Sequence, residues 1–430
     1  MSNVSLYSFR GLYYAEYIDV PKLKESISEL LGIKNTFSRQ SLKTFYENIV
    51  LKNVSRKNEI DKVLFENILY GQLKNVSLNK IQSPTKIKLP VLRKQMEQLI
   101  STYNHNQFIP SQFRADMKDS GFYLMDTISP THTGTKFIAG FDIKASNNDV
   151  EELRILFVEV VKKENKRSFL LGGIEVDFKR LTLTLMARHT TGIAKPEEDE
   201  EPYDHSISSL FNRIKGELLP YLRIVPYIDC EKDRKGLFEY CKSLDDKLLE
   251  DKRALVNQRT GRLLPATTKQ LFDALFEKDD NRPDKNVQET IIKQINSMLV
   301  ASYIAANVSN NELKREARRL DLEAYSTRIS FTSNNASRSS TESAGANKPL
   351  ASSELFHSLY TSFTDSQRLQ TFSLSWFTDI NNTNLKDIDV IQTTIRSNKS
   401  DFLITFKANR PLEKEFLHYV LDRISELRNY

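Results

Sequence analysis

Asp142, Glu175 and the triplet Asp177-Phe178-Lys179 have the types and order used in metal-assisted phosphodiester hydrolysis. In that chemistry an acid on one strand and an acid-x-Lys on a following strand hold Mg²⁺, and the lysine steadies the attacking water. The stretch VDFKRLTL reads equally as a polar turn joining two strands, and such triplets are frequent in a chain that is 27% charged. The turn is the expected role, and a metal-dependent nuclease is carried forward as the alternative.

A second pattern suits a polyanion. Between Glu66 and Glu97, thirty residues contain no acid and hold Lys74, Lys80, Lys86, Lys88, Arg93 and Lys94. Pro84 and Pro90 bracket TKIKL within this strip, which is expected to run partly extended and lay ammonium groups along a phosphate backbone. Residues 1–100 hold 16 Lys and Arg against 9 Asp and Glu, so the net charge of +6 is concentrated there. These six cations are the candidate nucleic-acid contacts, with a solvated loop as the plainer reading. Lys314, Arg315, Arg318 and Arg319 form another basic group, but Glu312, Glu316, Asp321 and Glu323 stand at pairing distance along the same helix and are expected to neutralise it.

Other chemistries find little material. None of the six histidines has a partner at the three- or four-residue spacing of a zinc-protease helix; His132 and His189 sit in polar, turn-like sequence beside strands, exposed or at the rim of a pocket. Gly-x-Ser-x-Gly and Gly-x-x-x-x-Gly-Lys are absent, and 13 glycines in 430 residues leave little for phosphate-cradling loops. No cofactor and no metal is expected. Cys230 and Cys241, the only cysteines, fit neither a disulfide framework nor a paired zinc site. With no signal-like N-terminus and no run of eighteen apolar residues, a cytoplasmic protein without a membrane span is expected.

Elements must place these residues. Pro21, the apolar face Leu23, Ile27, Leu30 and Leu31, and Gly32 mark a helix, followed by helices over 39–51 and 56–69. Residues 5–18 read as a short hairpin. Alternation then predicts strands at 136–143, 153–161, 168–176 and 180–187, an antiparallel meander with one wet face, because Thr182 and Thr184 oppose Leu181, Leu183 and Leu185. Helices are expected at 206–218, 234–250, 267–278 and 286–307, and another behind the capping box Ser309 to Glu312. In the 286–307 helix, Val287, Ile291, Ile292, Ile295, Leu299, Val300, Tyr303 and Ile304 form a broad apolar stripe for a core, a protein partner or self-association. Residues 332–349, TSNNASRSSTESAGANKP, read as a flexible linker. A tail follows with a helix at 351–363, strands at 369–377, 389–396 and 401–408, and a closing helix, with Trp376 in its core.

The fold class expected is α+β in several domains. These are a mostly helical region with the basic strip over 1–110, an antiparallel sheet over 111–194 and a helical region over 195–331. A small α+β domain over 350–430 follows the linker. The function expected is a non-catalytic or accessory component that binds nucleic acid or a protein, in a bacterial antiviral defence or mobile-element system. The alternatives are the nuclease and a structural oligomerisation subunit.

Overall fold

The computed structural model describes residues 7–33, 40–82, 87–104, 121–129, 132–163, 166–189, 206–276, 283–332, 337–345, 348–382 and 388–428. Lys86 and the acidic segment 195–204 lie outside the described residues. The class is α+β, and the chain divides into two compact units, residues 1–228 with 408–417, and 229–407 with 418–430. Among the described residues no helix is long and apolar enough to cross a membrane.

In the first unit, helices α1 (Val20–Leu31), α2 (Leu42–Lys52) and α3 (Lys57–Gly71) precede strand β1 (Asn75–Gln82) and helix α4 (Leu89–Asn104). Pro21 lies in the first turn of α1 and Gly32 closes the helix at φ 66°, both as expected, and Asp19 caps its start by accepting a hydrogen bond from Lys22 N. Strands β2 (Gly121–Tyr123), β3 (Lys136–Ser146), β4 (Asp149–Lys163), β5 (Lys166–Asp177) and β6 (Thr182–Ala187) follow. Next come α5 (Ile207–Arg213), a π-helical turn Ile214–Leu218, α6 (Leu219–Leu222) and β7 (Val225–Tyr227). All pairings are antiparallel in the order β2-β3-β4-β5-β6-β1-β7. Where a hairpin was expected over 5–18, Gly11–Tyr17 forms a 3₁₀ helix; residues 5 and 6 lie outside the described residues.

Both faces of this sheet are covered, so the expected wet face is not found. Adjacent glycines in β5 show why helices approach so closely. A Cβ on Gly173 would fall 2.6 Å from Leu69 Cδ1 of α3, and one on Gly172 would fall 2.6 Å from Ile214 Cδ1, on the opposite face. The near-continuous apolar run of β4 and the full burial of β6 follow from that double cover. Thr182 and Thr184 are accordingly buried.

The second unit contains α7 (Cys230–Thr260), α8 (Leu263–Leu275), α9 (Lys285–Asn307) and α10 (Asn310–Arg319), then β8 (Ala324–Thr332), β9 (Arg338–Glu342), α11 (Glu354–Ser366), β10 (Thr371–Phe377), β11 (Val390–Ser397) and β12 (Phe402–Lys407). Its antiparallel order is β12-β11-β10-β8-β9. A final helix, α12 (Lys414–Glu426), belongs to the first unit through Leu417 and to the second beyond it. Trp376 is fully buried with its indole N–H donated to Thr393 Oγ1 at 2.8 Å, the core role expected of it. Arg428 and Asp233 form a buried ion pair at 2.7 Å. Within the expected linker 332–349, Arg338–Glu342 is a strand paired with β8. Its serines and threonines supply a ladder of backbone hydrogen bonds, which needs no apolar side chains. Residues 333–336 and 346–347 of that segment lie outside the described residues.

Candidate functional site

Two of the four nuclease candidates meet on the α3 face of the first unit's sheet, around a residue that the sequence did not single out. Arg154 on β4 stands opposite Asp142 on β3 and opposite Glu175 on β5. The two acids are thus two strands apart, about 10 Å, with a guanidinium between them. Arg154 grips Asp142 with two nitrogens, Nε to Oδ1 at 2.8 Å and Nη2 to Oδ2. Its Nη1 donates to Glu66 Oε1 of α3 at 2.5 Å, and Glu152 Oε1 lies 3.3 Å from Nε. Tyr123 Oη donates to Asp142 at 3.2 Å, and Tyr70 Oη to Glu175 Oε2 at 2.6 Å. Lys62 and Lys414 each complete a pair at 3.3 Å, with Asp142 and Glu66 respectively.

A cleft of about 470 Å³ opens above this cluster. Burial works against ionisation of Glu66, but Arg154 and Lys414 outweigh it and hold the carboxyl below its ordinary value. Glu152 moves the other way, raised by burial and by the charge of Glu175. The arrangement clamps α3, β3 and β4 together through one planar, bidentate cation. The carboxylate oxygens that would face a metal ion are already engaged with fixed donors, and among the described residues no group of three or more acids, histidines or cysteines has the geometry to hold one. Asp177 does what a turn acid does, its Oδ1 accepting from Lys179 N and Arg180 N at 2.8 Å each. Lys179 pairs with Glu151 at 2.7 Å.

The basic strip is dispersed. Lys74 is half-buried, donates to the Ala408 carbonyl at 2.8 Å, and is lowered from its ordinary pKa by that burial and by Arg188. Lys80 lies within β1, where its backbone pairs with Thr182 and Tyr227. Lys88 is exposed and bound to Asp149 at 2.6 Å. Arg93 and Lys94 lie exposed on the outer side of α4 and carry no ion pair among the described residues. The expected pairing along α10 is not found among the described residues: Arg318 is buried against Asp379, Glu316 pairs with Lys252, and Lys314, Arg315 and Arg319 form no ion pair. His132 and His189 are both exposed.

The second unit presents a different surface. The apolar stripe of α9 is only partly used: Val300 and Ile304 are buried, while Ile291, Ile292, Ile295, Leu299 and Tyr303 are half-buried and Val287 and Met298 are exposed. Helix α8 turns only Thr268 and Phe272 inward. Leu263, Leu271 and Leu275 remain 67, 61 and 72% exposed. Among the described residues of α8 and the segments flanking it, Arg259, Arg262, Lys269 and Lys285 are exposed and form no ion pair, beside the carboxylates Asp273 and Asp284.

No protein-family profile, no curated protein and no solved structure matches the chain.

Proposed function

We propose that this chain is a binding component that engages a protein partner through α8 and α9, the partner supplying an amphipathic segment with acidic flanks. The observation that carries this reading is the exposure of Leu263, Leu271 and Leu275 on one thirteen-residue helix. Single exposed leucines are ordinary, but three from one short helix are a concentrated apolar surface. A helix of this length with so little burial has marginal stability by itself. Covering it offsets that deficit. Arg262 and Lys269, exposed cations without an ion pair among the described residues at the start of and within the same helix, favour an acidic partner over a basic one.

Fluorescence anisotropy tests this with a twenty-residue amphipathic peptide made with an acidic, a neutral or a basic polar face. Binding should fall in that order. Burying two leucines contributes roughly 3 kcal/mol or more, so the double variant Leu271→Glu, Leu275→Glu should weaken the acidic peptide about 100-fold or more. Equal binding of all three peptides, or no effect of the double variant, overturns the proposal. Light scattering and sedimentation with anionic vesicles supply the competing outcomes. A dimer abolished by the same variant would make a second copy the occupant, and vesicle binding abolished by it would make the occupant a membrane surface.

Two other readings have narrower support. Nucleic-acid contact in the first unit rests on Arg93 and Lys94, and changing both to Glu would have to reduce the salt slope of DNA or RNA binding. The nuclease reading rests on Asp142 and Glu175 sharing a sheet face. It requires Mg²⁺- or Mn²⁺-dependent cleavage that is lost in Asp177→Ala.

A further inference from the structure

Helices α7, α9 and α11 enclose a second cleft, of about 400 Å³, within the second unit. That volume suits a ligand the size of a mononucleotide, and clefts between packed helices are common ligand sites. Arg253 of α7 is held rigidly there. Its guanidinium lies 4.6 Å from the centre of the Tyr360 ring, and both Arg253 and the Tyr360 hydroxyl bind Asp246. Lys242 shares that same carboxylate.

Three polar groups lining the cleft have no such partner. Lys293 is exposed and makes no ion pair among the described residues. The Asn296 amide, half-buried, makes no hydrogen bond among them. Thr361 is only 8% exposed, and its hydroxyl likewise makes none, although it is not among the sealed polar atoms of the interior. That hydroxyl is therefore reached by solvent in the cleft, where a ligand oxygen can take the place of water. Asp365 is the one acid in the lining, opposite three cations.

We infer that this cleft binds a small phosphate monoester carrying a hydroxylated ring, with the phosphoryl group beside Lys293 and Arg253. The ring hydroxyls meet Asn296 and Thr361, and the Tyr360 ring and Val300 form the apolar wall. Nucleoside monophosphates and sugar phosphates share this chemistry. The site is separate from the leucines of α8, so it stands whether or not the docking reading does.

Calorimetric titration of the full chain with AMP, ribose 5-phosphate, inorganic phosphate and adenosine tests it. At least one of the two phosphorylated rings should bind. AMP binding alone assigns the wall to a base, whereas equal binding of both assigns the site to the sugar phosphate. Adenosine and inorganic phosphate should bind at least tenfold more weakly. Lys293→Gln should weaken the bound ester about tenfold, and Thr361→Val should weaken it without altering the preference among ligands. Arg253→Gln removes the second cation; should its loss of the Asp246 pair impair folding, Lys293→Gln decides, because that side chain is exposed and unpaired. Absence of binding by both esters, tighter binding of inorganic phosphate, or an unchanged affinity in Lys293→Gln overturns the inference.

Discussion

Replacing Arg154 by methionine removes a cation from among Asp142, Glu66 and Glu152 while keeping an unbranched apolar stem in its place. Arg154 is 8% exposed and Asp142 11% by side chain, so the pair is well shielded from water. Removing one partner of such a pair costs about 3–5 kcal/mol, because the remaining charge is left uncompensated. Lys62 and Lys414 stay with Asp142 and Glu66, which places the expected loss near the lower end, about 3 kcal/mol. Glu66 is held below its ordinary pKa, so the stabilisation is complete above that ordinary value and is lost as pH falls through the depressed one. Hydrogen exchange of β3, β4 and β5 amides, read at pH 7 and again near pH 4, gives the loss strand by strand. The difference between wild type and Arg154→Met should be large at pH 7 and smaller near pH 4. A difference below about 1 kcal/mol at pH 7, or one that grows on acidification, would refute the clamp.

Other consequences follow from burial and close packing. Gly173→Val should destabilise the first unit by about 1–3 kcal/mol in urea unfolding, because its Cβ would meet Leu69 at 2.6 Å, whereas Gly216→Ala, with nothing within 4 Å, should leave the midpoint nearly unchanged. Burial pushes the Asp245 carboxyl up to about 7, so the second unit should lose stability as pH rises from about 4 to 7 and stay level above that. Asp245→Asn should flatten that slope, raising the melting temperature at pH 8 by more than at pH 5. Burial also pushes the Cys241 thiol up, so a thiol reagent should modify the half-buried Cys230 and spare Cys241 until the chain unfolds.

The strands of the 136–187 meander were legible because LRILFVEVV and RLTLTLMA advertise burial residue by residue. Strand β1, NVSLNKIQ, was not. Its Ser77 and Asn79 are fully buried, and the Asn79 Nδ2 donates locally to the Ser77 hydroxyl and carbonyl, an arrangement that composition does not reveal. Strands β8 and β9 escaped for the same reason. Ser326, Thr327, Ser330 and Thr341 would signal a loop elsewhere, yet all four are buried here, Thr327 Oγ1 accepting from Gln392 at 2.8 Å. Helix ends were readable where the capping residues are distinctive, at Gly32 after α1 and at the Ser309–Glu312 capping box of α10. By contrast α7 runs on to Thr260, ten residues past its expected end at 250, through polar residues that keep good helix propensity.

Sequence proximity misled most at the charge clusters. Asp142 and Glu175 were visible as acids on strands, but their meaning depends on Arg154, on Glu66 from 88 residues upstream of it, and on Lys414, 348 residues beyond Glu66. No local spacing rule joins them. The basic strip looked coherent because its residues are consecutive in the chain. Folding sends Lys74 into a half-buried contact, Lys80 into a strand and Lys88 onto an acid. The apolar stripe of α9 was legible as a pattern. Its partial exposure was not, since a stripe reads the same whether its own chain or a partner covers it.

Hydrogen exchange across α8 and α9, with and without a saturating acidic amphipathic peptide, tests the central claim most directly. Slower exchange is expected over Leu263–Leu275 and the half-buried side of α9, with β3–β5 unchanged, and Leu271→Glu, Leu275→Glu should abolish the protection. Protection that fails to appear on α8, or that persists in the double variant, would contradict the assignment of this surface as the docking face.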